Sequence, residues 1–191
     1  MDYNWKWDDV ALYSYTPIGC ANSLAQKLNS YLPHHCTSIY DACACIGGNT
    51  QGFVRQGFHV FASEIDEGRS KFLEHNMKQS NCPFGFLPGS CFAHLATVKA
   101  DVVFIDAPWA QGQDYKSIPK FTLDHLVFAS TTSQKQTIFD AFKLIKQNKN
   151  VKFVVLKVPN KFYEDNFRDN YKPYWFSFRN HKYCVFSTEV L

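Results

Sequence analysis

No C-x-x-C pair occurs among the seven cysteines, Cys20, Cys36, Cys43, Cys45, Cys82, Cys91 and Cys184. The C-x-C of Cys43 and Cys45 lacks the second pair that a zinc site needs, so no metal is expected and the thiols read as small apolar residues. Apolar runs stay well short of the ~20 residues that span a bilayer, which excludes a membrane-spanning helix and any membrane partner. The start, Met1 to Asp9, lacks a basic stretch followed by an apolar one, so an intracellular setting is expected, cytoplasmic or nuclear, where cysteines stay reduced. Internal repeats, low-complexity tracts and Pro/Gly/Ser-rich linkers are also missing. With 191 residues, 46% of them hydrophobic and 19% charged, the chain is neither disordered nor long enough for two ordinary domains. A single domain over 1–191 follows, with an extension over 1–30 and a core over 38–191.

Charge of one sign is scarce overall, the formal balance being +3. Its placement is uneven, because residues 143–182 hold ten Lys or Arg against Glu164, Asp165 and Asp169. That stretch suits a polyanion or, equally, a solvated helix face with scattered surface lysines.

What is present is an alternation of element types from residue 39 onward. Strand-like runs fall near 39–43, 58–64, 84–87, 101–106, 151–158, 173–178 and 182–187. Helical stretches fill most of the gaps. Leu73 and Met77 stand at helical spacing within 66–79, and Ser133 with Gln136 forms a capping-box pattern ahead of the amphipathic run 137–145. An extra helix is expected near 19–28, starting by Thr16-Pro17. The last two strands, separated by Arg179-Asn180-His181, predict an antiparallel hairpin closing an otherwise parallel sheet. The fold class is therefore α/β and Rossmann-like, a seven-stranded mostly parallel sheet of the class I methyltransferase type.

The most informative segment is Asp41-Ala42-Cys43-Ala44-Cys45-Ile46-Gly47-Gly48-Asn49-Thr50, where an apolar strand ends in a carboxylate and a glycine pair. Two later strands also end in acids, Glu64 and, within Asp101 to Trp109, Asp106. Glycines let the backbone approach a ligand, and a carboxylate after the second strand can bind a ribose diol. Ligands of open α/β sheets bind beyond such strand ends, so Asp41, Glu64, Ser90 and Asp106 should meet there. The pattern reads as a site for S-adenosyl-L-methionine (SAM). Asp66 is expected to cap the helix that follows it.

Four blocks carry a closer resemblance. Tyr13-Ser14-Tyr15-Thr16-Pro17, Asp41 to Thr50, Ala62 to Asp66 and Ala100 to Trp109 resemble the F-S-V-T-P, D-A-F-C-G-x-G-G-N-T, A-I-D-I-D and A-D-V-V-F-L-S-P-P-W blocks of the trimethylguanosine synthase-like RNA cap guanine-N2 methyltransferases. Order and spacing agree over roughly 13–160. The resemblance implies that Asp41, Gly47, Gly48, Asn49 and Thr50 hold the methionine part of SAM, that Glu64 holds the ribose, and that Ser90 lies near the adenine. Thr16, Cys43, Ile65 and Asp106 join the cofactor site on the same basis. Asp106, Pro108 and Trp109 then form the catalytic turn, with Trp109 stacking on a cationic 7-methylguanine through cation–π attraction. Ser14, Lys157 and Lys161 complete the substrate side, the two lysines contacting cap phosphates. The expected partner is capped RNA, the enzyme a monomer, and the setting the host cytoplasm for a viral member, which compactness and abundant Phe, Tyr and Asn suggest.

Asp106-Ala107-Pro108-Trp109 stands where the family has S-P-P-W, and Ser90 replaces an acid. An Asp opening a D-x-P-W turn also suits amino methylation of another base, such as adenine N6, since carboxylate and carbonyl can together orient an NH2 group. A degenerate cap-binding or complex-forming subunit is the non-enzymatic alternative.

Overall fold

Alternating apolar residues on β4 (Val102–Ile105) show why the sheet is covered on both sides. Val102 and Phe104 pack with Leu24, Leu28 and Phe53 on one face, while Val103 and Ile105 pack with Ile138, Phe142 and Ile145 on the other. A strand buried on both faces reads as a continuous apolar run, as parallel strands do. The structure, a computed structural model, describes residues 4–110, 114–129, 135–178 and 180–191.

The remaining strands of the main sheet are β1 (Ser38–Asp41), β2 (His59–Ala62), β3 (Gly85–Phe86), β7 (Phe153–Pro159), β8 (Tyr174–Ser177) and β9 (His181–Ser187). Their order is β3-β2-β1-β4-β7-β9-β8. Pairing is parallel from β3 to β7, and β9 runs antiparallel between β7 and β8. This is the α/β arrangement expected, including the terminal hairpin. A short antiparallel ribbon, β5 (Val127–Phe128) with β6 (Gln136–Thr137), was not foreseen. Two-residue strands leave no periodicity to read.

The helices are α1 (Asp9–Ser14), α2 (Ile18–Tyr31), α3 (Gly48–Arg55), α4 (Glu67–Gln79), α5 (Ile138–Gln147) and α6 (Asp165–Tyr171). Asp66 caps α4 as expected, accepting from the Arg69 N–H at 2.8 Å. The capping box of α5 corrects the sequence reading. Thr137 and Asp140 exchange its two bonds, at 3.3 and 3.2 Å, while Gln136 belongs to β6 and Ser133 lies outside the described residues. Thr137 wins because it immediately precedes the apolar face of Ile138, Ala141, Phe142 and Ile145.

The described N-terminal segment is bound to the core at several points. Buried Trp5 donates its indole N–H to Ser80 at 3.0 Å, and Asn76 of α4 donates to the carbonyls of Lys6 and Ile46 at 2.9 and 3.1 Å. Helix α2 lies on α3 so closely that a Cβ on Gly52 would come within 2.7 Å of Ala21. Residues 14–17 are thereby carried across the C-terminal ends of the strands.

Candidate functional site

Beyond those strand ends lies a cavity of about 790 Å³. Ser14 and Thr16 come from the N-terminal segment, Cys43 from just beyond β1, Glu64 and Ile65 from just beyond β2, and Ser90 from the turn after β3. Asp106, Pro108 and Trp109 follow β4, and Lys157 stands on β7. Ten residues anticipated from sequence thus share one wall. The six others do not line it: Asp41, Gly47, Gly48, Asn49 and Thr50 are buried behind it, and Lys161 points elsewhere.

The glycine pair has a use that the sequence did not reveal. Gly47 adopts φ +98°, the left-handed region open to glycine, and a Cβ there would meet Leu73 at 2.9 Å. At Gly48 a Cβ would stand 2.3 Å from the backbone oxygen of Thr16. Gly48 admits the chain's own N-terminal segment against the start of α3, and Gly47 admits the Leu73 and Met77 side chains of α4. Asn49 and Thr50 then reach carboxylates: the Thr50 hydroxyl donates to Asp41 at 2.7 Å and the Asn49 amide to Asp106 at 3.4 Å.

Charge at the site is concentrated in a few buried groups. Burial pushes the Asp41 carboxyl up to about 7, the Thr50 bond opposing and the like charges of Asp106 and Glu64 adding to the shift. Glu64 accepts the N–H groups of Cys45 and Asp66, each at 2.9 Å, with Arg69 at 3.7 Å. Cys45 adopts φ +52° and Ala110, directly after Trp109, φ +61°, so non-glycine residues in sparsely populated backbone conformations flank both ends of the site. Trp109 packs edge-on against Tyr115 and Phe121, with ring centroids 5.1 and 6.4 Å away.

Lys157 departs most from the sequence expectation. It faces the cleft, but its ammonium donates to Asp106 at 2.7 Å and to Thr16 Oγ1 at 2.9 Å instead of standing free for phosphates. Lys161 donates to the Ile118 carbonyl at 2.7 Å. The basic stretch 143–182 is similarly engaged: Lys143 pairs with Asp140, Arg168 and Lys182 with Glu164, and Lys182 also donates to the Phe162 carbonyl. Lys157, Lys161 and Lys182 are thereby engaged within the protein, whereas Lys143 and Arg168 pair at its exposed surface; Arg179 lies outside the described residues.

Sequence reasoning missed His181. It lines the cavity from the first position of β9, stacks on Phe178 at 5.5 Å, and shares a 3.0 Å hydrogen bond with the Tyr183 hydroxyl. Burial, then the charge of Lys157, pushes its imidazole down to about 4, so it is neutral at physiological pH. A histidine on a terminal hairpin carries no sequence signal of its own. Cys20, Cys45 and Cys91 also reach the cavity as free thiols, and the hydrogen bond with Cys91, then burial, holds the Cys43 thiol well above its ordinary range. Among the described residues no cluster of three or more His, Cys, Asp or Glu could hold a metal ion, and no helix is long and apolar enough to cross a membrane.

Residues 36–161 match the model of a protein family described as RNA cap guanine-N2 methyltransferase. The chain belongs to that family. The match contains the second, third and fourth resembling blocks and excludes Tyr13 to Pro17. It makes the chain a member of a family of SAM-dependent RNA methyltransferases. An uncharacterized protein of Acanthamoeba polyphaga mimivirus is 30% identical over 141 residues, 71% of this chain and 51% of its own length. This member of the family thus spans about half the length of the curated relative it matches.

Solved structures agree in fold. The 16S rRNA guanine-N2 methyltransferase RsmC of Thermus thermophilus, solved with AdoMet and guanosine, aligns at a TM-score of 0.61 and 12% identity, over 97% of this chain and 44% of that one. A candidate RNA methyltransferase of Pyrococcus horikoshii aligns at 0.62 and 15% identity, over 96% and 91%. A candidate class I SAM-dependent methyltransferase of Listeria monocytogenes aligns at 0.61 and 13%, over 91% and 60%.

The cavity suits SAM. Its volume falls in the ~300–1,000 Å³ range of cofactor sites, with a carboxylate at the end of β2 and apolar surface beside it from Ile65 and Ala42. The Trp109 indole N–H, on a residue that lines the cavity, is buried without a partner among the described residues, a polar atom that a ligand could satisfy.

Proposed function

We propose that the chain is a SAM-dependent methyltransferase acting on the exocyclic N2 amine of a 7-methylguanosine RNA cap. The observation that carries this reading is the single cavity uniting Glu64 and Ser90 with Asp106, Pro108 and Trp109. Family membership and the guanine-N2 chemistry of RsmC support it.

Glu64 would hold the ribose of SAM, Cys43, Ile65 and Ser90 the adenine, and Thr16 with Asp106 the methionine side, where Asp41 and the Gly47 to Thr50 segment brace the wall from behind. Bound SAM supplies an electrophilic methyl group. An aromatic amine is a poor nucleophile because its lone pair is delocalised into the ring, so holding its N–H bonds in one orientation is the main service the protein can give. The Asp106 carboxylate, fixed by Lys157 at 2.7 Å, offers an acceptor for that purpose. It also favours positive charge developing on the amine. Trp109 gives the base a face to stack on, and the Ser14 side of the cavity mouth would admit the nucleotide. The protein would work as a monomer on capped RNA inside the cell, in the host cytoplasm if it is viral like its mimivirus relative.

Asp106 also favours a second reading, amino methylation of another nucleic-acid base. Radiolabelled methyl transfer from SAM to m7G-capped, G-capped and uncapped RNA separates the two. The cap reading expects label on the m7G-capped RNA alone, competed by 7-methylguanosine diphosphate. Equal labelling of uncapped RNA would establish the alternative, and no labelling of any RNA would leave a binding role.

A further inference from the structure

Lys157 places a buried ammonium beside the ring proposed to stack a cationic base. Its Nζ lies 6.0 Å from the Trp109 ring centroid, and the side chain is 9% exposed. A second cation on that ring would be repelled in a poorly solvated site unless the ammonium is countered. Asp106 is the counter-charge, at 2.7 Å, whereas the other partner, Thr16, is neutral. His181 adds no charge at pH 6, and Glu64 is engaged by two N–H groups and Arg69.

Resting on the reading of Trp109 as the guanine plate, we propose that mutual neutralisation of Lys157 by Asp106 is what leaves Trp109 able to accept cationic N7-methylguanine, so that unbalancing the pair shifts the preference between it and neutral guanine. Lys157 is the specificity-determining residue that weakens binding of the methylated base. Asp106 is the counter-charge that permits it. In a neutralised pair the two effects nearly cancel; with one partner gone, the remaining charge acts on the methylated base alone. Unit charges about 7 Å apart at an effective dielectric near 20 alter a binding ratio by roughly fiftyfold.

Tryptophan fluorescence of the full chain, titrated at pH 6 with 7-methylguanosine diphosphate and with guanosine diphosphate, measures that ratio. The diphosphate is common to both ligands and cancels. Lys157→Met should raise the preference for the methylated nucleotide by more than about tenfold, and Asp106→Asn should lower it by more than about tenfold. The Asp106→Asn/Lys157→Met double variant, neutral again, should return close to the wild-type ratio, which a general loosening of the site would not do. Both nucleotides binding with one ratio, within about twofold, in all four proteins would overturn the inference and leave the cap reading standing. Failure of the wild type to bind either nucleotide would overturn both.

Discussion

Replacing Gly48 by alanine tests what the glycine pair is for. The new Cβ would stand 2.3 Å from the Thr16 carbonyl oxygen and 3.2 Å from the Thr16 N and C atoms. Ordinary contact begins near 3.4 Å, so the backbone must yield by about 1 Å. Rotamer changes cannot relieve this, because the obstacle is main chain. Both sides are tethered as well, Thr16 by the bond from Lys157 and the start of α2 by Ala21 N–H to Pro17 O at 3.0 Å. Overpacking of this kind costs about 1–3 kcal/mol, and in a chain of this size Tm falls about 2–4 °C per kcal/mol. Displacing Thr16 also removes an acceptor from Lys157 and opens one side of the cavity, so SAM affinity should fall together with stability. Gly19→Ala is the control: nothing lies within 4 Å of its Cβ, and an alanine inside α2 should be neutral or stabilising by up to about 1 kcal/mol. Thermal melts and calorimetric SAM titration of both variants decide the matter. A Gly48→Ala protein that melts with the wild type and binds SAM equally well would show that Thr16 does not rest on this glycine.

Asp41→Asn tests the buried carboxyl. Its folded value of about 7 lies above the ordinary 3.8, so the folded state keeps a proton that unfolding releases between those limits. Wild-type stability should therefore decline as pH rises from about 4 to 7, by at most about 1.4 kcal/mol per unit from this group, and the Asn variant should be flatter in denaturant melts at pH 5 and 8. Parallel profiles would mean that Asp41 is not held protonated. Glu64→Ala should weaken SAM binding by about 1.5–3 kcal/mol, the scale of a hydrogen bond to a charged group, and unchanged calorimetric affinity would remove Glu64 from the site. Trp109→Ala should cost about 1–3 kcal/mol of affinity for 7-methylguanosine diphosphate, with Trp109→Phe retaining part of it; equal affinity in all three proteins would end its role as the plate.

The sheet was legible because its strands combine β-branched and aromatic runs with acids at their ends, a pattern that survives without knowledge of any contact. Strand-end position likewise sufficed to gather Glu64, Ser90, Asp106 and Trp109 around one cavity. What sequence did not reveal depends on three-dimensional partners. Lys157 looks identical in sequence whether it meets phosphate or Asp106, since their approach joins residues 51 apart. Gly48 looks like a ligand-binding glycine until Thr16, 32 positions earlier in the numbering, is found against it. His181 owes its place to the register of β9 on β7, where it lies opposite Pro159, and the register of two strands separated by a helix and a further strand is not fixed by composition.

Insertion of β9 between β7 and β8 has a consequence for how the protein is made. Synthesis runs from the N-terminus, so β7 and β8 are complete before the strand that joins them exists, and β8 has no neighbour in the main sheet other than β9. Until about residue 187 has left the ribosome, Val154, Val155 and Leu156 present an unpaired, apolar strand edge, the kind of surface on which nascent chains stick to one another. The same strand delivers His181 to the cavity. A message broken within the codons for residues 181–187 would therefore yield an aggregation-prone product with an incomplete cleft, although every residue of β7 had already been made.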